Sequence, residues 1–361
     1  MYNYVSTIRK STSINNCIRC FFTNEEIPNL LITKNNTIEI YDLTKEGLNN
    51  NKSLSVYGNI LLLISIPSYN EENEIHKDNI FVLTELLDFC VLTFYEESKK
   101  IATLFSDTVK LDIGIRQENI LYSLDIDKNF LLISAYKNIF KLICLNTKKR
   151  LKENYNDFTI KYQYEDILFL SNFTINNISP KNNDNILTYA IIKVDKYFPT
   201  STSTEENKDD ENINNNNNKK HQITLETFQI KAEPKSVIFY NYEKKQELNS
   251  KNKNIALKVT SNRAAGYKPN VSNTHEKMEE NFNFLQKINI SENPTVSLMI
   301  THPEGIIFLF FSNYAMYYKY DKTKKELIPQ VDKKVCYTDR KFINYAIIDE
   351  KNYKYFLSDE Y

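Results

Sequence analysis

The sequence predicts an all-β protein with the β-propeller fold, and three observations lead to this prediction. Stretches that alternate apolar and polar residues around a tight turn recur about every fifty residues, which is the WD40-like period expected when each blade is a four-stranded sheet. Aromatic residues make up 13% of the chain, with 25 Tyr and 21 Phe, and both favour strands. Helical periodicity is almost absent, and the one short helix predicted covers residues 270–283.

The first hairpin, NLLITKNNTIEIYDL, shows the pattern most clearly. Leu30 and Ile32 alternate with polar residues before the Asn35-Asn36 pair, and Ile38 and Ile40 alternate after it, as in strands with one face buried. Asn tolerates the positive φ that a tight hairpin turn requires. Because the chain has only 5 Gly, we expect Asn to occupy many turn positions that Gly would usually fill.

Five later stretches continue the series. They begin at Asn79, Asn129, Asn185, Glu304 and Asn352. The starts at positions 29, 79 and 129 are fifty residues apart. The sequence thus shows six blade hairpins, with one long gap between the fourth and the fifth.

Two polar segments in this gap are predicted to be disordered inserts. The first, 200–222, is of low complexity and ends near a poly-Asn run, so it cannot offset its ordering entropy by burying apolar surface. It separates KVDKYF from ITLETFQI, which would otherwise be the two arms of one hairpin, and an insertion at a hairpin tip costs little. The second insert covers 243–280. Removing both would restore a spacing of about fifty residues.

The hairpin count predicts one N-terminal propeller domain, 1–361, of the seven-bladed type but incomplete, because the chain ends within its sixth hairpin. A propeller closes by pairing its first and last blades, and only Tyr4–Ile8 could supply half of such a closure. A β-sandwich is the alternative fold. Its turns usually recur about every 8 to 12 residues without a superimposed fifty-residue period, so the propeller is favoured.

Charge and hydropathy limit the classes of function. Lys and Arg number 46, and Asp and Glu number 46, so the chain lacks the basic excess expected of a protein that binds the nucleic-acid backbone. No apolar run reaches about 18 residues and no apolar leader begins the chain, which predicts neither membrane spanning nor secretion. The five Cys are scattered and odd in number, which fits reduced thiols better than a disulfide framework.

Candidate catalytic and metal-binding residues are few. Cys17 and Cys20 have the spacing of half a zinc site or of a redox pair, but no second pair completes the site, and we interpret both as buried structural thiols. His302–Gly305 (HPEG) is interpreted as a turn between strands. The remaining His (76, 221 and 275) are scattered, and the glycine motifs of nucleotide-binding proteins and hydrolases are absent. We therefore predict no enzyme, no cofactor and no metal site.

Two further features have a simple structural interpretation. The carboxylate pairs Glu25-Glu26 and Glu71-Glu72 lie in polar connections and are interpreted as solvated charges. The aromatic stripe Phe308–Tyr320 could form a base-stacking platform of the kind that binds single-stranded nucleic acid. Its period of two and its lack of interleaved basic residues indicate strand core and packing between blades instead.

The first 48 residues resemble the N-terminus of the DNA damage-binding protein 1 family. Asp112–Leu145 is similar to that family's third blade, with Gly114 and Arg116 in its loop, and the stretch NPTVSLMITHPEGIIFLFFSNYAMYYK fits more loosely. The family shares this propeller with subunit 3 of splicing factor 3b and with the large subunit of the cleavage and polyadenylation specificity factor. The residues that carry the N-terminal match are Tyr2–Val5, Asn16, Cys17, Phe22, Thr23, Asn29–Ile32, Lys34, Asn35, Glu39–Tyr41, Glu46–Leu48, Tyr57 and Gly58.

The resemblance implies a noncatalytic protein-interaction scaffold, the first of three propellers in an adaptor of cullin-4 ubiquitin ligases. Such an adaptor recruits substrate receptors in DNA repair and protein ubiquitination, in nucleus and cytoplasm. The first and third propellers would clasp the receptors, and the second, which we expect this chain to lack, would hold the cullin. The alternative is an RNA-processing relative that works beside nucleic acid in splicing or polyadenylation complexes. The sequence assigns no interaction residues.

Overall fold

The computed structural model describes residues 12–69, 75–111, 114–152, 155, 157–162, 166–173, 185–196, 221–232, 282–290, 296–302, 304–337, 340–349 and 354–359. Within these ranges the chain forms 23 strands, one α-helix and one short 3-10 helix. The strands make six sheets, and each sheet is built from strands that are consecutive in the chain. Consecutive four-stranded sheets of this kind are the β-propeller fold that the sequence predicts.

The first three sheets have four strands each. Their strands are β1 (Asn16–Cys20), β2 (Asn29–Lys34), β3 (Thr37–Thr44) and β4 (Gly47–Ser55) in sheet 1, β5 (Ile60–Tyr69), β6 (Ile75–Thr84), β7 (Asp88–Tyr95) and β8 (Lys100–Thr108) in sheet 2, and β9 (Arg116–Leu124), β10 (Phe130–Tyr136), β11 (Ile139–Cys144) and β12 (Phe158–Lys161) in sheet 3. The helix α1 (Thr147–Lys152) lies between β11 and β12 in the chain.

Sheets 4, 5 and 6 have four, five and two strands, respectively. Their strands are β13 (Asp166–Asn172), β14 (Asn185–Lys196), β15 (His221–Ala232) and β16 (Phe282–Ile290) in sheet 4, β17 (Leu298–His302), β18 (Ile306–Phe310), β19 (Tyr314–Asp321), β20 (Glu326–Pro329) and β21 (Val335–Cys336) in sheet 5, and β22 (Phe342–Asp349) and β23 (Lys354–Asp359) in sheet 6. In sheet 5, β21 pairs with β19 beyond the four-strand order. The 3-10 helix covers Val331–Lys333.

The predicted hairpin series is confirmed. Five of the hairpins are the second and third strands of a four-stranded sheet: β2–β3, β6–β7, β10–β11, β14–β15 and β18–β19. The strand predicted at Asn352 is β23, which pairs with β22 as the second strand of sheet 6. The repeat of about fifty residues therefore marks the second and third strands of the first five sheets.

The fourth hairpin joins the two arms that the sequence placed on either side of the first insert. β14 and β15 pair antiparallel along their whole length, from Asn185 opposite Ala232 to Lys196 opposite His221. The last two residues of the range 200–222 thus belong to β15. Residues 200–220, the insert 243–280, Tyr4–Ile8 and Glu71-Glu72 lie outside the described residues, as does the predicted helix 270–283 except for its last two residues, which begin β16.

Contacts between residues divide the chain into two compact units, which comprise 1–114, 127–131 and 143–156 in the first and 115–126, 132–142 and 157–361 in the second. The core of the first unit joins sheets 1 and 2, and it includes Leu31, Ile38, Ile40, Ile80 and Val82. The core of the second joins sheets 4 and 5 through residues such as Ile192, Leu225, Ile307, Leu309 and Phe311. Each core fills the space between facing sheets, as blade packing requires.

The apolar alternation predicted that Leu30 and Ile32 lie on the buried face of β2, but the structure buries the other face more deeply. Leu31 is 1% exposed and lies opposite Ile40, whereas Leu30 and Ile32 are only half-buried. The polar residues Asn29 and Thr33 share the buried face with Leu31. Both faces of a propeller blade contact neighbouring elements, so apolar alternation alone does not identify the deeper face.

The hydrogen bonds of the Asn29 side chain explain why this face of β2 is the more deeply buried one. Its side chain is fully buried, and its Oδ1 accepts the backbone N–H groups of Phe22 at 2.9 Å and Thr23 at 2.8 Å. Its Nδ2 donates to the Asp42 carboxylate at 2.7 Å. One amide therefore holds the connection between β1 and β2 against β3. Buried polar groups satisfied in this way specify a unique packing.

Left-handed backbone conformations occur at six non-glycine residues among those described, but Asn provides only two of them, Asn35 and Asn138. Lys99, Lys128, Lys325 and Leu87 provide the others. The expectation that Asn replaces Gly in many turns is thus too narrow. For an L-residue this conformation costs about 1–2 kcal/mol, which the pairing of the flanking strands offsets.

The helix α1 was not predicted, and one arginine connects it to sheet 2. The Arg150 guanidinium lies 4.3 Å from the centre of the Phe105 ring and 3.5 Å from the Asp107 carboxylate. It also donates to the Cys144 carbonyl at 3.2 Å. A six-residue helix is too short to be stable alone, so these tertiary contacts decide its formation.

We expect Asn29→Ala to lower the free energy of unfolding by about 3 kcal/mol, because it leaves several buried donors without an acceptor. Chemical denaturation monitored by circular dichroism measures the effect. Asn36→Ala is the matched control, since Asn36 is exposed in the adjacent turn and should change stability by less than about 0.5 kcal/mol. Equal effects of the two substitutions would contradict the role of Asn29.

Candidate protein-interaction surface

The CxxC residues do not form a shared site. Cys17 is exposed and Cys20 is buried, because residues three apart on a strand point to opposite faces. The expectation that both thiols are buried is therefore wrong for Cys17. Burial, and next the nearby Asp78 carboxylate, raise the pKa of Cys20 to about 12. All five cysteines of the chain are free thiols, as the sequence predicts.

The turn His302–Gly305 and the pair Glu25-Glu26 have the structural roles that were predicted. His302 ends β17, its ring accepts the Glu304 N–H at 3.2 Å, and Gly305 closes the turn with a φ of 76°. Glu25 and Glu26 are exposed in the connection between β1 and β2. Across the described ranges no group of three or more His, Cys, Asp or Glu is placed to hold a metal ion. None of the described helices is long and apolar enough to cross a membrane.

The aromatic stripe on β18 and β19 packs inside the second unit. Leu309 and Phe311 are fully buried in the core. Phe308, on the other face, contacts the rings of Tyr317 at 5.5 Å and Tyr355 of β23 at 6.1 Å between ring centres. These rings join sheet 5 to sheet 6 and are not arranged as an open stacking platform. The prediction of strand core and blade packing is confirmed.

A charge cluster in sheet 4 is centred on a buried carboxylate. The Glu226 carboxylate is fully buried and lies 3.1 Å from Lys193 Nζ and 3.5 Å from Lys287 Nζ. The Tyr162 hydroxyl donates to its second oxygen. The cluster includes one side chain at the surface, Lys287, whereas Lys193 is buried with 4% of its side chain exposed. It fixes the packing of sheet 4, and a buried charge must be compensated in this way.

Exposed apolar side chains recur in the segments that lead into the first strand of a sheet. Ile14 precedes β1, Tyr57 precedes β5 and Ile115 precedes β9. Tyr57 is 86% exposed and Ile115 is 70% exposed. A single exposed apolar residue is ordinary, but its recurrence at one position of the repeat is informative. Exposed apolar side chains in such loops are typical of protein-binding surfaces.

Ile115 lines a cleft of about 850 Å³ in the second unit. The walls come from the start of β9, from Lys137 in the turn between β10 and β11, from the start of β13 and from Val194 near the end of β14. Apolar lining is supplied by Leu121, Ile167 and other aliphatic residues. None of the lining residues is a Ser, Thr, Cys or His, so the cleft lacks the nucleophile and imidazole base of a hydrolase.

The strands β9 and β13 meet at one end of the cleft and separate at the other. The Asn172 backbone N–H, at the end of β13, donates to Ser123 Oγ near the end of β9 at 2.6 Å. The opposite ends, which begin at Arg116 and Asp166, form the cleft walls. The cleft is therefore a gap between the first strands of sheets 3 and 4.

Hydrogen bonds to β10 and to the turn after it hold the β9 wall of the cleft in place. The buried Gln117 side chain donates through Nε2 to Ser134 Oγ at 2.7 Å and to the Tyr136 carbonyl at 3.1 Å. The Lys137 backbone N–H donates to the Ile115 carbonyl at 2.8 Å. These bonds attach the start of β9 to β10, so the wall is formed before any partner binds, which reduces the entropy cost of binding.

Charges of both signs line the cleft. Arg116, Glu118, Lys137 and Asp166 are all exposed. Within the described part of the chain, no side-chain hydrogen bond or ion pair engages Arg116, Glu118 or Lys137. A basic surface for a phosphate backbone would show one sign. Mixed charges around an aliphatic lining instead match the polar rim and apolar centre of a protein interface.

The sequence identified only one of these residues in advance. Arg116 belongs to the resemblance through the loop that precedes the third blade. Ile115, Gln117 and Lys137 lie within the Asp112–Leu145 match, but no motif singles them out, and Asp166 lies outside that match. Their proximity is a product of the sheet arrangement, and the exposure of Ile115 could not be predicted from its neighbours Gly114 and Arg116.

Comparison with known proteins gives one family. Residues 13–361 match the family described as RSE1/DDB1/CPSF1 first beta-propeller. The chain is similar to DNA damage-binding protein 1a of Arabidopsis thaliana, with 31% identity over 204 residues. DNA damage-binding protein 1 of Oryza sativa subsp. japonica and of Solanum lycopersicum also show 31% identity over 204 residues. In each case the match covers 55% of this chain and 18% of the relative, so the matched region is less than a fifth of each curated relative.

We expect alkylation of the native chain at pH 8 to label Cys17 and to leave Cys20 unmodified. Burial shields Cys20, and its raised pKa keeps the thiol protonated, whereas the thiolate is the reactive form. Peptide mass spectrometry after brief treatment with iodoacetamide measures both sites. The denatured chain is the control, in which both should react. Labelling of both in the native chain would contradict the arrangement described.

We expect Gln117→Ala to lower the free energy of unfolding by about 2 kcal/mol, because it removes a buried donor from Ser134 and Tyr136. Asn119→Ala is the matched control, since Asn119 is exposed two residues later on β9 and should have an effect below about 0.5 kcal/mol. Denaturant titration of both variants measures the difference. A neutral Gln117→Ala would show that these bonds do not hold the cleft wall.

Proposed function

The chain belongs to the RSE1/DDB1/CPSF1 first β-propeller family, and on this basis we propose that it is the first propeller of a cullin-4 ubiquitin ligase adaptor of the DNA damage-binding protein 1 type. It acts as a noncatalytic scaffold that recruits substrate receptors in DNA repair and protein ubiquitination, in nucleus and cytoplasm. The curated relatives named above all carry the name DNA damage-binding protein, which supports this member of the family over its RNA-processing members.

The cleft between β9 and β13 carries the proposal. It combines an exposed aliphatic residue, Ile115, with charges of both signs and a wall fixed by Gln117. This combination provides an apolar anchor point and a polar rim, which a protein partner needs. A single-stranded nucleic acid would require a basic groove with open aromatic rings, and the cleft lining contains no aromatic residue.

The proposal assigns receptor binding to this propeller and cullin binding to another part of the full-length protein. An adaptor must hold both at once, and separate propellers allow this without competition. The two contacts can therefore be separated by substitutions in the cleft. A receptor-binding substitution should leave the cullin contact intact.

We expect Ile115→Glu, introduced into the full-length protein, to reduce retention of substrate receptors at least about tenfold, because it places a charge at an apolar contact. Cullin-4 should co-purify to the wild-type level. Affinity purification with quantitative mass spectrometry measures both. Leu48→Glu is the matched control, since Leu48 is about half exposed on β4 and lies in the other unit.

Two outcomes would overturn the proposal. Co-purification with splicing or polyadenylation factors in place of cullin-4 would assign the chain to the RNA-processing branch. An unchanged receptor level for Ile115→Glu would show that receptors bind elsewhere. Thermal unfolding of Ile115→Glu and Leu48→Glu is the check that both variants keep the wild-type fold.

A further inference from the structure

We propose that the cleft receives an extended segment of a partner protein, which adds a strand to the free edge of β9. This inference rests on the proposed scaffold function and specifies the form of the partner at that site. The segment carries aliphatic residues and at least one acidic residue. Four features of the cleft support this proposal. Consecutive residues of a strand line the cleft, and the strand edges that border it are unpaired. The cleft also has the length of a short strand, and the position of its charges suits an acidic residue.

The lining of the cleft shows that a strand edge faces it. Ile115, Arg116, Gln117, Glu118 and Asn119 are five consecutive lining residues. Successive side chains of a strand point to opposite faces, so a cleft against one face would be lined by every second residue. Consecutive lining residues require that the cleft borders the edge of the strand. Residues 166–168 at the start of β13 line it in the same consecutive way.

Both edges lack a strand partner on the cleft side. Sheet 3 has the order β12-β11-β10-β9, and sheet 4 has the order β13-β14-β15-β16. Within the described residues, β9 therefore pairs with β10 alone and β13 with β14 alone. The second edge of such a strand presents backbone N–H and C=O groups that can bind another strand. Strand addition to an exposed edge is a recurring mode of peptide recognition.

The cleft has the length of a short strand. At a rise of about 3.3 Å per residue, the four residues 116–119 provide about 13 Å of edge. Beyond them the gap is closed by the bond between Asn172 and Ser123. A partner segment of about four residues fits this edge, with its flanking residues outside. The volume of about 850 Å³ also accommodates its side chains, within the range of small-ligand pockets of about 300–1,000 Å³.

The charges indicate where an acidic residue of the segment lies. Arg116 follows Ile115, and the Lys137 backbone donates to the Ile115 carbonyl, so both cations lie at the outer end of the β9 edge. Neither side chain is engaged by another described residue. A carboxylate of the segment can therefore pair with them without breaking an existing ion pair, and an aliphatic side chain near it can contact Ile115.

The test begins with phage-displayed linear heptapeptides selected against the purified chain. We expect selected peptides to contain an acidic residue beside aliphatic ones and to bind Arg116→Glu and Lys137→Glu about tenfold more weakly than the wild type. Lys100→Glu is the matched control, since Lys100 is exposed on β8 in the other unit. Replacing the acidic residue of the peptide with Lys should restore about tenfold of the affinity for Arg116→Glu.

A scan of backbone N-methylation distinguishes strand addition from other modes of binding. An added strand donates to its neighbour from every second residue, so N-methylation should weaken binding at least about tenfold at alternate positions and little at those between. A helical segment would instead lose affinity at nearly every interior position, because each N–H there donates within the helix. Isothermal calorimetry measures each peptide, and circular dichroism of the variants confirms their fold.

Several outcomes would overturn the inference. These are a scan without a period of two, equal weakening by Lys100→Glu, and failure to select any peptide that is sensitive to Arg116. Peptide binding that requires prior deletion of residues 200–220 would assign the cleft to this chain's own segment. Receptor retention and cullin co-purification are measured separately on the full-length protein, so failure of the peptide experiments leaves the proposed scaffold function standing.

Discussion

One backbone hydrogen bond recurs in the first three sheets, and the connection that leaves each of these sheets depends on it. The residue after the fourth strand donates its N–H to a carbonyl of the turn between the second and third strands. The bond joins Val56 to Asn36 at 2.8 Å, Val109 to Leu87 at 2.7 Å, and Tyr162 to Asn138 at 2.9 Å. Because the donor residue also begins the connecting segment, this bond fixes where that segment leaves its own sheet.

The same bond accounts for the unusual backbone of these turns. The turn between the second and third strands must direct a carbonyl toward the connecting segment, and in each of the first three sheets it contains one residue of positive φ: Asn35, Leu87 or Asn138. Leu is a poor residue for this conformation, yet Leu87 is 2% exposed. Burial of its side chain offsets the strain. The turn is therefore selected by the sheet around it as well as by its own residues.

The cleft arises from the position of the first strand at the edge of each sheet. A first strand pairs with its own sheet on one side and contacts the neighbouring first strand on the other. At Ser123 and Asn172 the contact between β9 and β13 is closed by a hydrogen bond. At Arg116 and Asp166 the strands are apart, and the gap between them exposes backbone and side chains together. A scaffold can thus gain a binding surface from the fold without a specialised loop.

The sequence by itself determined the positions of the hairpins, since a period of two broken by turn residues is a local property that each fifty-residue unit repeats. It also marked Phe22, Thr23 and Asn29 through the family resemblance, and the structure gives the reason: they share one buried hydrogen-bond network. Only the tertiary structure decided that Leu31 lies deeper than Leu30, that Cys17 is exposed while Cys20 is buried, and that Ile115 and Asp166 line one cleft. Burial depth and proximity depend on which sheets face each other, and residues far apart in the chain settle that together.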